Sequence, residues 1–366
     1  YKDAPKGLND YSTNAKYQKF NYRANVDVNV TKSTIVNLGA SGWIVDQNKP
    51  GHTSTDNMWM HLMTLSPVAV PVMYSNGYIP TNDIDKAMNP EALLTRTGYK
   101  DIWENKAEIN VTIQQDLSFL TEGLNFSGMY AFDNYNWNEV GRYKNPELWL
   151  AERQRDGNGN IVYRRMAESS TLAQSTYTKG DRRNYLEANL IYETLLNEKH
   201  RIGGLVKYYQ QQISRTDLNK YSDIIWAIPK RNLALSGRVT YGFMDRYLAE
   251  FNFGYTGSEN FEKGERFGFF PAIAGGWVIS EEPFIKKNLP WLDMFKIRYS
   301  YGEVGNDIIP DDNRFPYLTQ LSTQGNGYNW GEYGSNHTPG YGITILGSSN
   351  LTWERAKKHN LGIDWN

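Results

Sequence analysis

No cysteine occurs among the 366 residues. This excludes disulfides and thiolate metal sites, and it is compatible with an oxidising compartment without requiring one. Charge of one sign is missing as well: 39 basic and 40 acidic residues leave a net of -1, so there is no basic footprint for nucleic acid. Apolar runs are short. None approaches the roughly 20 residues of a membrane helix, and the mean hydropathy is -0.63. A β-barrel escapes that test, because only every second residue of its strands faces lipid. An initiator Met and a signal peptide are lacking too, and the abrupt start at Tyr1 leads to the expectation of a processed or partial chain. The five histidines, at 52, 61, 200, 337 and 359, have no metal-ligand spacing. There is no nucleophile elbow and no dinucleotide fingerprint, and Gly325, Gly327 and Gly331 do not make one. No catalytic role, cofactor or metal is therefore assigned.

Aromatic residues are abundant: they make up 14% of the chain, with 26 Tyr and 11 Trp. Tyr and Trp combine an apolar ring with a wet edge, which suits membrane-interface girdles and sugar-stacking surfaces alike. The clearest pattern runs from Leu235 to Tyr255. In the first half Leu235, Val239, Tyr241 and Phe243 share one parity and Ser236, Arg238 and Thr240 the other. In the second, Tyr247, Ala249, Phe251, Phe253 and Tyr255 alternate with Leu248, Glu250 and Asn252. Period-two alternation predicts strands with one apolar and one polar face, and the short Met244-Asp245-Arg246 connection predicts an antiparallel hairpin. Two readings fit such a hairpin. In a sandwich the apolar face lines a core; in an outer-membrane barrel it meets lipid while the polar face lines a lumen.

Comparable runs are predicted over 17–31, 35–45, 104–117, 124–137, 182–194, 200–215, 269–279, 291–304 and 356–366. With the hairpin this gives about eleven strands. The connections near 32, 120, 197, 245 and 285 are short or modest, while those at 46–103, 138–181, 216–230, 257–267 and 305–353 are mostly long. Short turns on one side and long loops on the other are the habit of outer-membrane barrels, and a sandwich has no reason to alternate them. Single-chain barrels close with an even number of strands, and the last run stops at Trp365-Asn366 in mid-strand. The expectation is an all-β, antiparallel transmembrane β-barrel domain of which residues 1–366 form part. Within the first long connection, Thr55 to Leu65 is predicted as a short helix.

The same stretches resemble a family. Asp245-Arg-Tyr-Leu248, Gly264-Glu-Arg-Phe-Gly-Phe-Phe-Pro-Ala272, Gly275-Gly-Trp-Val-Ile-Ser-Glu-Glu-Pro-Phe284 and Leu292-Asp-Met-Phe-Lys-Ile-Arg-Tyr-Ser-Tyr-Gly-Glu-Val-Gly-Asn306 are similar to successive blocks of SusC/RagA-type TonB-dependent transporters. Asn350-Leu-Thr-Trp-Glu354 with His359-Asn-Leu-Gly-Ile-Asp364 resembles the next block. The resemblance implies about 11 strands of a barrel of about 22, a size whose lumen is plugged. It also implies import of an oligosaccharide or peptide, a SusD-like surface lipoprotein over the outer mouth, and energy from the TonB-ExbB-ExbD complex. The plug domain and TonB box of that family have no match in these residues, so the coupling is carried by the resemblance alone. Other readings stay open: a SusC-like scaffold subunit of a larger outer-membrane assembly, or a surface glycan-binding β-sandwich.

Candidate solute-binding residues are the aromatics in or beside the predicted outer loops: Trp59, Trp137, Trp149, Tyr328, Trp330, Tyr333 and Tyr341. Flat rings suit sugars and peptides; the alternative role is packing of the loops or a girdle. Arg23, Arg201, Arg238, Glu250 and Arg298 fall on the polar parity and are predicted to face the lumen, to touch a passing solute or to hold a plug or one another. Asp156-Gly-Asn-Gly-Asn160 begins like a calcium loop, but Ile161 and Ala167 stand where such a loop needs Gly and Glu, so a hairpin tip is expected. Asp311-Asp312 reads as an exposed turn after Pro310, with contact to a cation as the alternative.

Overall fold

The computed structural model describes residues 10–51, 55–68, 70–82, 89–216, 227–309 and 314–366. Asp311-Asp312, His52 and most of the connection at 216–230 lie outside the described residues. Among the described residues there are fifteen strands: β1 (Lys16–Asn29), β2 (Thr34–Pro50), β3 (Gly98–Asp116), β4 (Leu124–Tyr143), β5 (Leu148–Arg155), β6 (Ile161–Ala167), β7 (Ala173–Leu196), β8 (His200–Arg215), β9 (Lys230–Phe243), β10 (Tyr247–Ser258), β11 (Phe267–Val278), β12 (Phe295–Asn306), β13 (Gln320–Trp330), β14 (Asn336–Ile345) and β15 (Glu354–Trp365). Eleven form one sheet in the order β1-β2-β3-β4-β7-β8-β9-β10-β11-β12-β15, with β1 and β15 at its edges. The predicted runs correspond to these eleven one for one. The other four pair off as the separate hairpins β5-β6 and β13-β14.

The chain divides into two compact units. One comprises residues 1–23, 41–107 and 134–181, and the other 24–40, 108–133 and 182–366. In the second unit the register is regular. Phe251 lies opposite both Val239 and Ile273, and Ile273 opposite Tyr301, which faces His359. Equal strand parity puts these residues on one face of the sheet. Val239 is 55%, Phe251 41% and Ile273 51% exposed, although β9, β10 and β11 are interior strands of the sheet. A sandwich would have buried this face against a second sheet; here it is bare, as a lipid-facing surface is.

The turns follow from local chemistry. In Phe243–Tyr247 the Arg246 amide donates to the Phe243 carbonyl at 3.0 Å, with Met244 and Asp245 at φ of 50° and 53°. Two consecutive left-handed residues match the strand twist, as in hairpin turns of the primed types. Gly123, at the end of the β3-β4 turn, has φ of +84° and sits so close to the Glu193 carbonyl that an added Cβ would lie 1.9 Å from that oxygen. Glycine is required there on both counts.

Two expectations need correction. The long connection at 138–181 is not all loop, because β4 continues to Tyr143, β7 starts at Ala173, and β5-β6 stands between them. Likewise 305–353 contains β13-β14 and a 3-10 turn, Glu332–Gly334. The tip of β5-β6 was expected at Asp156–Asn160, but the strands of both hairpins escaped the alternation test because their pairing is irregular, with register shifts between Leu148 and Trp149 and between Ser322 and Gly325. The predicted helix is present as α1 (Thr55–Thr64), and a further short helix, α2 (Pro90–Thr95), starts at a cap where Asn89 Oδ1 accepts from the Glu91 amide at 2.9 Å. Among the described residues no helix is long and apolar enough to cross a membrane.

Candidate functional site

In the first unit the polar parity carries aromatic rings paired with cations. Trp137 lies within β4, not in a loop. Its ring meets Tyr177 of β7 at 5.2 Å in an edge-on arrangement, and the Lys179 ammonium sits 5.1 Å from its centroid. Nearby in sequence on the same parity, Tyr135 packs on Trp43 of β2 at 6.0 Å and donates to Glu104 at 3.4 Å. Lys19 of β1 caps Trp43 at 4.8 Å. The result is a band of rings whose faces are held by ammonium groups, a surface able to stack on a flat solute and donate to its oxygens.

The loops of this unit add a second aromatic group. Tyr78 stacks on Trp149 of β5 at 4.1 Å with 10° between planes, and Tyr163 of β6 meets Tyr78 edge-on at 5.6 Å. The Trp149 ring nitrogen donates to Glu147 at 2.8 Å. A cavity of about 320 Å³ beside this stack is lined by Tyr78, Trp149, Arg96, Lys144, Glu147 and Ser169 among others. Trp59 projects from α1 and is exposed.

In the second unit Tyr328 and Trp330 of β13 touch edge-on at 4.5 Å. Both are exposed, as are Tyr333 in the 3-10 turn (98%) and Tyr341 on β14 (79%). Of the seven aromatics, Trp137 and Trp149 make different ring contacts within the first unit, and Tyr328 and Trp330 pair within the second.

The charged residues of the polar face are mostly paired. Arg238 donates to Glu250 at 2.7 Å, and Asn252 supports the same carboxylate at 2.6 Å. Arg298 meets Asp364 at 3.3 Å, and Arg201 meets Asp245 at 3.2 Å. Lys207 and Glu187, which the sequence reading passed over, pair at 2.6 Å. Arg23 makes no ion pair among the described residues. No group of three or more His, Asp or Glu side chains that could hold a metal ion occurs among the described residues. Asp156 closes the tip of β5-β6 by accepting from the amides of Asn158 at 2.9 Å and Asn160 at 2.7 Å, so the calcium-like segment is a hairpin tip.

The members missed from sequence are Lys19, Trp43, Glu104, Tyr135, Tyr177 and Lys179. Their signal was present in parity: Trp43 and Tyr135 break the polar alternation of β2 and β4 with a ring. Which rings meet is a cross-strand relation that one strand does not reveal.

No protein-family model matches the chain. TonB-dependent receptor P3 of Formosa agariphila is 25% identical over 365 residues, covering 96% of this chain and 35% of the relative. TonB-dependent receptor SusC of Bacteroides thetaiotaomicron is 32% identical over 143 residues, 38% of this chain and 14% of the relative. Among solved structures, the RagAB peptide transporter superposes with a TM-score of 0.60 at 16% identity, covering 96% of this chain and 38% of that one. The chain is similar in sequence to TonB-dependent receptors, SusC among them, and in fold to RagA-type transporters. The sheet is accordingly that of an outer-membrane β-barrel, and the chain spans little more than a third of the length of these SusC/RagA-type proteins at most. In the wall of an outer-membrane barrel, the bare apolar face meets lipid and the paired charges line the interior.

Proposed function

We propose that this chain is part of the barrel wall of a TonB-dependent importer in the outer membrane, carrying an oligosaccharide or a peptide inward. The observation that carries the reading is the two-faced sheet: the apolar parity is exposed while the polar parity holds cross-strand ion pairs such as Arg238-Glu250. Kinship with SusC and with the fold of a protein described as a peptide transporter supports it. On this reading residues 1–366 belong to one barrel domain of about 22 strands, whose lumen holds a plug. A SusD-like lipoprotein covers the outer mouth, and the TonB-ExbB-ExbD complex supplies energy through the plug.

The work of these residues is binding and guidance, with no bond made or broken. Trp59 in the first unit and Tyr328, Trp330, Tyr333 and Tyr341 in the second are exposed to meet a solute, and within the first unit the Trp137-Tyr177 and Trp43-Tyr135 rings offer it stacking faces. Flat apolar ring faces suit sugar C–H surfaces and peptide side chains, while Lys19 and Lys179 donate to their oxygens. The test is uptake of labelled oligosaccharides and peptides by cells with and without the full-length gene, together with membrane fractionation. Uptake of one class that disappears on deletion supports the reading; an inner-membrane or soluble protein, or unchanged uptake of every solute, ends it.

A further inference from the structure

The lipid-facing parity is apolar along most of β7 to β11, and then changes character. On β8 it runs Ile202, Gly204, Val206, Tyr208 and then Gln210 and Gln212. Gln210 lies opposite Leu233 and Gln212 opposite Arg231; Leu233 lies opposite Gly257, and Gly257 opposite Phe267. Gly257 contributes no side chain, and the Phe267 ring leans across it, within 2.6 Å of where a Cβ would stand. On the other flank Tyr130 donates to Asn184 at 2.9 Å. Between these flanks is a cavity of about 440 Å³.

Its height in the membrane follows from the strands. His200, Phe243, Tyr247 and Trp277 form one cross-strand row of rings beside the short turns, which marks one edge of the apolar band. Gln210 is ten residues further along β8. At roughly 3.4 Å per residue and a tilt of about 40°, that is about 26 Å higher. The apolar band of such barrels is about 25 Å tall, so the cavity opens where outer-leaflet headgroups meet acyl chains.

The lining matches that boundary. Leu186, Leu233 and Phe267 continue the apolar face, and Asn184, Gln210 and Gln212 add side-chain amides, each both donor and acceptor. At the rim the Arg231 guanidinium approaches Glu259 at 3.9 Å, beyond hydrogen-bonding distance, and the same carboxylate lies 3.5 Å from Arg314. Amides suit hydroxyls, and an under-compensated guanidinium suits phosphate. We propose that the groove seats the headgroup of one phosphorylated glycolipid of the outer leaflet, its sugar hydroxyls on the Gln210, Gln212 and Asn184 amides and a phosphate at Arg231.

The test uses the full-length protein extracted from its own outer membrane, washed in lipid-free mild detergent, and assayed for bound lipid by native mass spectrometry and phosphate analysis. About one glycolipid is expected to survive per chain. The Gln210→Leu/Gln212→Leu protein is expected to retain at least tenfold less, and Ser236→Ala, altered on the opposite face and outside the cavity lining, as much as wild type. A wild-type protein without lipid, or equal retention in all three, overturns the proposal. A second arm needs no variant: delipidated wild-type protein is reloaded with purified outer-membrane glycolipid or with phosphatidylethanolamine. A rise in its heat-unfolding midpoint in SDS with the glycolipid alone supports the assignment, whereas no rise, or the same rise with both, refutes it. Solute uptake is a separate readout, so the two proposals stand or fall independently.

Discussion

Tyr247 and Trp277, opposite each other on β10 and β11, stack with ring planes 10° apart, and both donate to the same Glu282 oxygen, at 2.7 Å and 3.0 Å. Arg246 approaches the second oxygen of that carboxylate at 3.6 Å. One acidic side chain thus ties the β9-β10 turn to the segment between β11 and β12.

Hydrogen bonds from the Tyr247 hydroxyl and the Trp277 ring nitrogen, with the nearby Arg246 charge, hold the Glu282 carboxyl below its ordinary pKa. A lowered folded-state pKa stabilises above the unfolded value, about 4.3 for Glu, and that contribution disappears as the pH falls through the folded value. The full-length protein is therefore expected to lose heat resistance in SDS below about pH 4. Glu282→Gln should start from a lower midpoint and lose less over the same interval, as read by gel shift against temperature.

Gly123→Ala should destabilise the barrel by about 1–3 kcal/mol, because the left-handed backbone disfavours any Cβ and the Glu193 carbonyl occupies its place. Urea unfolding in lipid vesicles, monitored by Trp fluorescence, measures it. A midpoint equal to wild type would show that the β3-β4 turn relaxes freely.

The polar-face ion pairs divide by exposure. Lys207 and Glu187 are half-buried and close, while Arg201 and Asp245 both reach solvent. Lys207→Met is expected to cost about 1 kcal/mol and Arg201→Ala nothing measurable. The same unfolding assay ranks them, and the reverse order would mean that burial does not govern this face.

Trp137→Ala removes a ring that both Tyr177 and Lys179 contact. A stacking or cation-π contribution of about 1 kcal/mol corresponds to roughly fivefold weaker apparent affinity in the uptake assay. Barrel assembly should be unchanged, and an unaltered uptake curve would remove Trp137 from the solute path.

Asp156→Ala should loosen the β5-β6 tip, since two backbone amides lose their acceptor. Protease nicking near Asn158 is expected to rise several-fold with no change in the heat resistance of the main sheet. Equal nicking would mean that the Gly-rich turn closes without the carboxylate.

Strand number and face assignment were legible because period two is a local property: Val239 and Arg238 declare their sides whatever lies opposite. The hydrophobic pattern also set the hairpin at Met244-Asp245-Arg246. Strand length was less legible. Beyond Trp137 the chain reads Asn-Glu-Val-Gly-Arg, without the apolar parity that lipid imposes, yet β4 continues to Tyr143. A strand above the membrane has no lipid to select its outward residues, so the alternation fades while the backbone ladder persists. The candidate site was the least legible part. Trp137 was singled out as an outer-loop ring, whereas it lies within a strand, and its partners Tyr177 and Lys179 are 40 or more residues away in a stretch read as loop.

Arg238 with Glu250, Arg298 with Asp364 and Lys207 with Glu187 each keep their counterion within hydrogen-bonding reach. Such a pair presents a dipole, whose field fades one power of distance sooner than that of a lone charge. An interior surface tiled this way is wet but nearly neutral at range. On the proposed import function, an ionic solute of either sign meets little long-range pull from these pairs.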